Sequence, residues 1–405
     1  MNASPGSTPG AEASSKRKSL FISVGDPSAD RHAAKLIKRL KERAPELDIW
    51  GMGGVAMEEQ GARLLHNRAA LAIVGIFEVI RDIPQLKKVR DDLLKNIVEQ
   101  KPDAVLLMDY GGFNLGFATL VRKTVDTPII YFISPQVWGS RPWRINAVKD
   151  AVSKILVIFP FEEALYRSKG VNSRFVGHPL TLRFNAEQVF STKEEFCAKH
   201  NLDPDRPIIG VFPGSRRGEI RSHSEAVLHA INWLRQERPE IQFVVAMTND
   251  VVRQVFNEEI DRLGFSILMG STIKTISSEE NDDLMKHSTL LWTKSGTTTL
   301  EAALLGKPML VFYRGFFISY LVLLCFKIVK YVGWPNLLNG EELVPELIQL
   351  DCRAEQLVRY TRDWLDVPGL LAETTDGLRI VRSHLGEGDF TDNAAEEVLT
   401  ILGLN

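Results

Sequence analysis

Residues 290–303 read LLWTKSGTTTLEAA, in which an apolar run is followed by small residues and then by helix-forming residues. Its apolar start predicts a strand, the small residues Ser295, Gly296 and Thr297 predict a turn, and the remainder predicts a helix. Such a helix start favours an anion, because its first backbone N–H groups lack partners and its dipole is positive there. Glu301 would lie further along the helix, within reach of a sugar next to that anion. The stretch therefore predicts a nucleotide-sugar site, with a simple helix cap at Ser295 or Thr297 as the alternative.

The length and composition of the chain limit its class. A chain of 405 residues is too long for one ordinary core and predicts two domains. The net charge of −2 gives no reason to expect a nucleic-acid partner. Three cysteines, Cys197, Cys325 and Cys352, lie far apart, which favours a reducing compartment and argues against a zinc site.

The first 18 residues have the composition of a disordered tail. They are rich in Ser, Ala and Gly and end in a basic triplet at residues 16–18, which we interpret as a solvated flank. The apolar segment that follows, from Leu20 to Val24, is too short for the core of a secretory signal. We therefore expect a cytoplasmic protein that is not secreted.

Short apolar runs alternate with amphipathic stretches along the whole chain, as in parallel βαβ units. Predicted strands in the first half are Leu20–Val24, Ile49–Met52, Ala104–Met108, Ile129–Ile133 and Ile155–Ile158, and those in the second half are Ile208–Phe212, Phe243–Met247, Ile267–Met269, Leu290–Thr293 and Met309–Phe312. A polar stretch near residues 184–205 separates the two series. We expect two doubly wound α/β domains, at 19–183 and 184–385, with a last helix within 386–405 that packs back on the first domain.

Two apolar segments suit an acylated substrate or a membrane surface. One runs from Phe316 to Phe326 and is followed by Lys327 and Lys330; it is too short to cross a bilayer. The other is residues 71–83. Either segment could lie against lipid, and a buried helix is the alternative for the first.

Candidate chemical groups follow the predicted strands of the first half. Asp109 comes directly after the strand 104–108, where a general base is expected, with a helix cap as the alternative. The turn after the first strand carries Ser28 and Asp30, which could cap the helix or contact a ligand, and capping is the simpler role for Asp30. His178 lies in a Gly-His-Pro sequence that we interpret as a hinge.

The second half contains another turn that favours phosphate. Residues 212–220 read FPGSRRGEI, so Ser215 and Arg216 lie between a strand and a helix. An arginine in such a turn can bind a phosphate with two hydrogen bonds, and an ordinary capped turn is the alternative.

The chain as a whole resembles the lipid-A-disaccharide synthases, a family of inverting glycosyltransferases with the GT-B fold. The resemblance runs from about Leu20 to the last helix. The residues that carry it are Gly25, Ser28 and Asp30; Gly75, Glu78 and Val79; Asp109, Phe113 and Asn114; Ser134, Pro135, Val137 and Trp138; Phe161 and Glu162; Gly177 and His178; Pro213, Gly214, Ser215, Arg216, Glu219 and Ile220; Ser295, Gly296, Thr297, Leu300 and Glu301; and Pro335, Asn336, Leu337 and Leu338.

The resemblance implies an α/β fold of the GT-B type, with two Rossmann-like doubly wound domains facing a central cleft. It implies transfer from UDP-2,3-diacylglucosamine to 2,3-diacylglucosamine 1-phosphate, which gives a β(1→6) disaccharide and UDP. The resemblance implies no metal and no other cofactor, and it makes the UDP-sugar a substrate. The implied partners are these two acylated sugars and the surface of the inner membrane, to which the protein binds peripherally. The sequence leaves the oligomeric state open, with a homodimer as one option.

The resemblance also suggests roles for residues of this chain. The catalytic residues would be Asp109 and Arg216. The nucleotide-sugar site would comprise Ser215, Arg216, Ser295, Gly296, Thr297, Glu301 and Asn336. The acceptor site or its loops would include Ser28, Asp30, Asn114, Ser134 and His178. Contacts with membrane or acyl chains would come from Ile76, Phe77, Phe316, Phe317 and Leu321.

Several positions depart from the family pattern. Asp26 stands where a glutamate is usual, Gly111 and Gly112 replace a Pro-Asp pair, and Thr289 replaces an aspartate. Lys294 replaces a small residue and would add positive charge beside the diphosphate. Two other classes of function remain open at this point: a different UDP-sugar enzyme of the same fold, such as a lipid-linked N-acetylglucosaminyltransferase or an epimerase, and a non-catalytic nucleotide-sugar-binding protein.

Overall fold

The structure is a computed structural model of the chain. It describes residues 17–67, 76–135, 143–184, 189–315, 330–386 and 388–404, and within 76–83 it describes the backbone alone.

The first half of the described chain forms a parallel sheet of seven strands in the order β3-β2-β1-β4-β5-β6-β7. Its strands are β1 (Ser19–Val24), β2 (Asp48–Gly53), β3 (Arg63–Asn67), β4 (Ala104–Met108), β5 (Ile129–Phe132), β6 (Lys154–Val157) and β7 (Ser173–Phe175). The helices between them are α1 (Pro27–Arg43), α2 (Val55–Glu59), α3 (Ile76–Gln100), α4 (Gly111–Thr124), α5 (Arg144–Ala151) and α6 (Pro160–Ser168). Every residue of β4 is buried, as expected of a central parallel strand with helices on both faces.

The second half forms a parallel sheet of six strands, within the described residues, in the order β10-β9-β8-β11-β12-β13. The connection to it contains α7 (Pro179–Arg183) and α8 (Lys193–His200). Its strands are β8 (Ile208–Phe212), β9 (Gln242–Met247), β10 (Ile273–Ser277), β11 (Leu290–Lys294), β12 (Met309–Tyr313) and β13 (Glu346–Ile348). Its helices are α9 (Arg217–Glu237), α10 (Asp250–Arg262), α11 (Asn281–His287), α12 (Thr297–Leu304), α13 (Trp334–Asn339), α14 (Ala354–Asp366) and α15 (Leu370–His384).

Both sheets reverse their strand order at one point, which positions the functional loops. In the first sheet the reversal lies between β1 and β4, and in the second it lies between β8 and β11. Ligands of doubly wound sheets bind at the carboxyl ends of the strands beside such a reversal. Asp109 directly follows β4, and the turns that contain Ser215 and Ser295 follow β8 and β11. The predicted fold class, two Rossmann-like domains of the GT-B type, is confirmed.

One predicted strand is wrong. Residues Ser266–Leu268 form a turn of 3-10 helix, and the strand of this region is Ile273–Ser277. Ile267 is 70% exposed, so its apolar character does not reflect burial in the sheet. The true strand is an edge strand in which Lys274, Thr275 and Ser277 are polar, so a search for apolar runs did not find it.

The last helix, α16 (Phe390–Leu402), packs on the first domain rather than on the second. Its buried face shares a hydrophobic core with β1, β4 and α1, and Phe390 is 1% exposed. Asp392 on this helix also lies 3.0 Å from the guanidinium of Arg39 on α1. The chain therefore crosses back from the second domain and ends on the first.

Candidate nucleotide-sugar and catalytic site

Asp109 occupies a strained turn at the carboxyl end of β4. Asp109 and Tyr110 have φ angles of 48° and 47°, the left-handed region that residues with a Cβ rarely adopt. The turn is fixed from β5, because the Tyr131 hydroxyl donates to the backbone oxygen of Asp109 at 2.6 Å. The Asp109 N–H also donates to the backbone oxygen of Phe132 at 3.2 Å. Strain that the surroundings hold in place in this way is typical of functional sites.

The carboxyl group of Asp109 has the electrostatic character of a base. Burial raises its pKa, and the negative charge of Asp26 raises it further, while a hydrogen bond from the Tyr110 N–H opposes the shift. That N–H donates to Oδ1 at 2.8 Å. A carboxylate with a raised pKa takes a proton more readily than an ordinary surface aspartate.

Asn114, expected in the acceptor site or its loops, lies under this turn and is fully buried. Its side-chain amide donates to the backbone oxygens of Met108 and Asp109 at 3.0 and 3.1 Å. Its Oδ1 accepts a hydrogen bond from the Ser23 hydroxyl at 2.8 Å. Asn114 therefore joins the ends of β1 and β4 and positions Asp109.

Ser28 and Asp30 lie at the start of α1, beside the same edge of the sheet. The carboxylate of Asp26 caps this helix and accepts hydrogen bonds from the N–H groups of Ser28 and Ala29. Asp30 is 8% exposed and caps α2, since it accepts from the Gly54 N–H at 2.8 Å. Asp30 therefore has a capping role, as expected, but it caps α2 rather than its own helix α1. Ser28 is exposed.

Ser134 is buried, two residues after the end of β5. Its hydroxyl donates to Oε1 of Glu162 at 2.9 Å. Residues 136–142, which include the family positions Val137 and Trp138, lie outside the described residues.

His178 caps α7 and packs in the connection between the two domains. Its Nδ1 accepts a hydrogen bond from the Leu180 N–H at 3.1 Å, and its ring lies 4.8 Å from that of Phe159. Burial, assisted by the nearby His32, lowers the pKa of His178 to about 3. The imidazole is therefore neutral at physiological pH, as a capping residue requires.

The loop after β8 presents an exposed guanidinium at the start of α9. Gly214 has a φ of 126°, and a Cβ there would lie 2.7 Å from the Glu219 carboxylate, so glycine is required. Glu219 accepts a hydrogen bond from the Ser215 N–H at 3.1 Å and shapes the loop. The Arg216 side chain is 83% exposed, and its guanidinium lies 3.7 Å from Glu219. An exposed guanidinium at a helix start suits a phosphate.

The loop after β11 leads into α12 without a side-chain cap. Gly296 is the N-cap residue and makes no side-chain cap hydrogen bond. The hydroxyl of Ser295 instead donates to the backbone oxygen of Val332 at 2.7 Å. Thr297 is the first residue of the helix. The capping alternative for Ser295 and Thr297 is therefore wrong, and the first turn keeps the features that attract an anion.

Lys294 joins the two loops. Its ammonium group lies 3.1 Å from Glu219 and 5.7 Å from the ring centroid of Tyr313. Burial would raise the pKa of Glu219, but the Ser215 N–H and the Lys294 charge hold it below the ordinary glutamate value. The ion pair thus keeps the carboxylate ionised where it shapes the first loop.

His223 on α9 joins the backbone that follows β8 to the backbone that follows β12, and sequence reasoning missed this residue. It is fully buried, its Nδ1 lies 2.9 Å from the backbone oxygen of Pro213, and its Nε2 accepts from the Arg314 N–H at 3.0 Å. Because Nε2 must accept, Nδ1 carries the proton and donates. Burial lowers the pKa of His223, which favours this neutral form.

Glu301 lies one turn into α12 and meets an unexpected partner. Its side chain is 15% exposed, and Arg183 on α7 donates to its Oε1 at 2.7 Å. Burial raises the pKa of Glu301, while the Arg183 charge opposes the rise. Nothing in the local sequence around either residue predicts this pair, because 118 positions separate them.

Asn336 on α13 is fully buried, and its amide holds neighbouring backbone in place. Its Oδ1 accepts from the N–H groups of Leu343 and Val344 at 2.7 and 3.0 Å. Its Nδ2 donates to the backbone oxygen of Val344 at 2.7 Å and to Glu346 at 2.9 Å. In this structure Asn336 positions the loop behind α12.

The predicted lipid-contact side chains are not among those described. Phe316, Phe317 and Leu321 lie in the segment 316–329, outside the described residues, and Ile76 and Phe77 belong to α3 with backbone alone. Of the helices in the described part of the chain, none is long and apolar enough to cross a membrane. The described residues also contain no group of three or more His, Cys, Asp or Glu side chains suited to a metal ion.

Comparison with known proteins decides the family. Residues 20–363 match the family model of lipid-A-disaccharide synthetase. The chain belongs to this family. A lipid-A-disaccharide synthase from Geobacter sulfurreducens is 34% identical over 95% of this chain and 97% of its own length. Lipid-A-disaccharide synthase 1 from Legionella pneumophila strain Lens is 35% identical over 86% of this chain and 88% of its own length.

Solved structures with the same fold are more distant. The S. aureus MnaA–UDP structure has a TM-score of 0.63 at 15% identity and covers 96% of this chain and 98% of its own. The UDP-GlcNAc 2-epimerase from Neisseria meningitidis bound to UDP-GlcNAc has a TM-score of 0.61 at 13% identity and covers 96% and 100%. At such identities they show the fold alone. The family membership confirms the predicted glycosyltransferase, a hexosyltransferase of lipid A biosynthesis, and the epimerase alternative is not favoured.

Proposed function

We propose that this chain transfers the diacylglucosaminyl group of UDP-2,3-diacylglucosamine to the 6-hydroxyl of 2,3-diacylglucosamine 1-phosphate. The products are the β(1→6) disaccharide 1-phosphate and UDP. The match over residues 20–363 to the lipid-A-disaccharide synthetase family carries this proposal. The geometry supports the roles of individual residues.

The donor nucleotide would bind at the loops of the second sheet. The helix start at Gly296 and Thr297 and the exposed guanidinium of Arg216 would receive the diphosphate. Glu301, further along the same helix, would accept hydrogen bonds from the ribose hydroxyls. This arrangement supplies positive charge where the leaving UDP gains negative charge.

Asp109 would act as the general base on the acceptor. Its carboxylate takes the proton of the 6-hydroxyl while the oxygen attacks the anomeric carbon from the face opposite UDP. The bond from that carbon to the phosphate oxygen breaks, and its electron pair leaves with UDP, so the configuration inverts. The raised pKa of Asp109 and its rigid turn support this role.

We propose further that the reaction needs no added metal ion, because Arg216 and the helix dipole offset the charge of the diphosphate. Activity should then be the same in EDTA as in Mg²⁺. A rate that depends on Mg²⁺ would contradict this part of the proposal.

Mass spectrometry of the products tests the function directly. The protein is mixed with UDP-2,3-diacylglucosamine and, in turn, with 2,3-diacylglucosamine 1-phosphate and unacylated monosaccharide phosphates. The proposal predicts a disaccharide 1-phosphate and stoichiometric UDP with the acylated acceptor. Release of a changed sugar without acceptor would indicate an epimerase, and bound donor without UDP release would indicate a binding protein.

The apolar run from Phe316 to Phe326, followed by Lys327 and Lys330, supports a peripheral contact with the inner membrane. Replacing Phe317 and Leu321 by serine should weaken binding to anionic liposomes or raise KM for long-chain substrates. A sharply lower melting temperature with unchanged liposome binding would instead indicate a buried helix. The homodimer stays a prediction, which sedimentation velocity tests.

A further inference from the structure

Arg183, the last residue of α7, bridges two acidic side chains of the second domain. Its Nη1 donates to Oε1 of Glu301 at 2.7 Å, and its Nη2 donates to Oδ1 of Asp282 at 2.6 Å. Glu301 belongs to α12 and Asp282 to α11, whereas Arg183 belongs to the connection between the two sheets. One guanidinium therefore links the connection to the carboxylate that the proposed function assigns to the ribose.

This bridge restrains Glu301 and leaves one of its oxygens available. The carboxylate is largely buried, and within the described part of the chain its hydrogen bond from Arg183 ends on Oε1, with none ending on Oε2. A carboxylate that is held through one oxygen keeps the other in a fixed direction. Burial raises the pKa of Glu301, and the positive charge of Arg183 opposes this rise and so favours the ionised carboxylate, which is an acceptor.

We propose that Arg183 is a positioning residue for nucleotide recognition, which holds Glu301 so that Oε2 accepts hydrogen bonds from the ribose hydroxyls of UDP. Arg183 itself does not touch the nucleotide. The guanidinium is suited to this task because its planar fork contacts Glu301 and Asp282 simultaneously in a fixed geometry. A lysine ammonium is a point charge on a flexible chain and would not fix that geometry. The inference rests on the proposed function, since it requires UDP at this site.

The same contact allows an opposite interpretation, which an experiment separates from the first. If Arg183 only occupied the ribose site in the absence of nucleotide, ribose would have to displace it. Removing the guanidinium would then tighten UDP binding. A positioning role predicts weaker UDP binding and, more specifically, a loss of discrimination between nucleotides with and without ribose hydroxyls.

The test is titration calorimetry with two ligands, UDP and 2′,3′-dideoxyuridine 5′-diphosphate. The wild-type protein should prefer UDP by about tenfold to a hundredfold, the range for hydrogen bonds to a charged acceptor. Arg183→Gln and Glu301→Gln should each reduce this preference to about threefold or less, and the double variant should lose no more than Glu301→Gln alone. Binding of the dideoxy nucleotide should change little in all of them.

Two further variants make the result specific. Asp282→Asn removes one anchor of Arg183 and should lower the preference partially, which provides a second route if Arg183→Gln folds poorly. Arg382→Gln is the matched control: this arginine donates to the backbone oxygen of Thr181 on α7 at 3.4 Å, so it also contacts the connection. Its loss should leave the preference for UDP unchanged.

The outcomes distinguish this inference from the function on which it rests. A wild-type protein that binds neither nucleotide overturns both. A wild-type protein that binds and discriminates, together with Arg183→Gln that discriminates equally well or binds UDP more tightly, overturns the inference alone. A wild-type protein that binds both nucleotides equally overturns the inference together with the ribose role proposed for Glu301, but leaves the transfer reaction itself standing.

Discussion

The ammonium group of Lys294 lies 3.1 Å from Oε1 of Glu219, and this ion pair joins the loop after β8 to the loop after β11. Their side chains are only 21% and 10% exposed. The other carboxylate oxygen of Glu219 accepts from the Ser215 N–H and shapes the first loop. That interaction places a negative charge beside the proposed diphosphate, and Lys294 neutralises it. We therefore expect Lys294 to act on the proposed diphosphate largely through Glu219.

Lys294→Met should weaken UDP binding by about tenfold or more, because it removes the nearest cation of the largely buried Glu219 and leaves only the exposed Arg216 guanidinium at 3.7 Å. Glu219→Gln keeps an acceptor for the Ser215 N–H but removes the charge. We therefore expect the double variant Lys294→Met/Glu219→Gln to recover most of the lost affinity in calorimetry. Equal weakness of the single lysine variant and the double variant would show that Lys294 contacts the nucleotide directly instead.

Arg216→Ala should weaken UDP binding by about tenfold to a hundredfold, since a charge-assisted phosphate contact contributes roughly 1.5–3 kcal/mol. The exposed position of this guanidinium at the start of α9 is the reason. Calorimetry with UDP and with uridine checks the assignment, because uridine lacks the phosphates and should bind both proteins alike. The adjacent Arg217→Ala serves as the matched control. A variant with wild-type UDP affinity and rate would remove Arg216 from the diphosphate site.

Asp109→Asn should keep the affinity for UDP-sugar and lower kcat by about a hundredfold to ten-thousandfold, because the amide keeps the shape but not the basicity. Steady-state kinetics and calorimetry on the same preparation provide the two measurements. Asp126→Asn, at a fully exposed position of the same domain, is the control and should leave kcat unchanged. Near-normal turnover in Asp109→Asn would exclude Asp109 as the base.

Asp26→Asn should move the acidic limb of the rate profile to lower pH. Burial and the Asp26 charge together raise the pKa of Asp109, so removing that charge lowers it. Asp109 is a base only when ionised, and the variant would therefore keep its activity further into the acidic range. Asparagine still accepts the cap hydrogen bonds at the start of α1, so the helix should persist. An unchanged acidic limb in kcat/KM would show that another group controls it.

The central strands could be predicted from sequence because both faces of a parallel sheet are covered. The residues of β4, Ala104–Met108, form one uninterrupted apolar run and were identified with their correct bounds. Edge strands escaped the same reasoning, since they need not be apolar. β3 contains Arg63, His66 and Asn67, and β10 contains Lys274, so neither resembles a buried run.

The residues of the candidate site also divide into those that the sequence predicted and those that it did not. Asp109 and the turns at Ser215 and Ser295 follow strands, and strand ends are visible in a sequence. The partners that position them are not visible, because they come from distant segments: Asn114 contacts Ser23 across 91 positions, and His223 contacts Arg314 across 91. Such contacts depend on how the strands are ordered in the sheet, which local patterns do not encode.

Acid should destabilise the protein through His178, and His178→Asn should reduce this effect. Burial and His32 lower the pKa of His178 to about 3 in the folded state, against about 6.5 when unfolded. Between these values the unfolded chain binds a proton that the folded protein does not, so stability falls as pH drops below about 6.5. The loss is at most about 1.4 kcal/mol per pH unit for this histidine. Asparagine does not titrate, and its side-chain oxygen can still accept from the Leu180 N–H.

Melting temperatures measured from pH 7.5 to pH 5 check this expectation. The variant should start lower at pH 7.5, because it loses the ring contact with Phe159, but it should decline less steeply toward pH 5. Some decline should persist, since burial also lowers the pKa of His32, to about 4, and that of His223. Equal slopes for the wild-type protein and His178→Asn would show that the proton that destabilises the fold binds elsewhere.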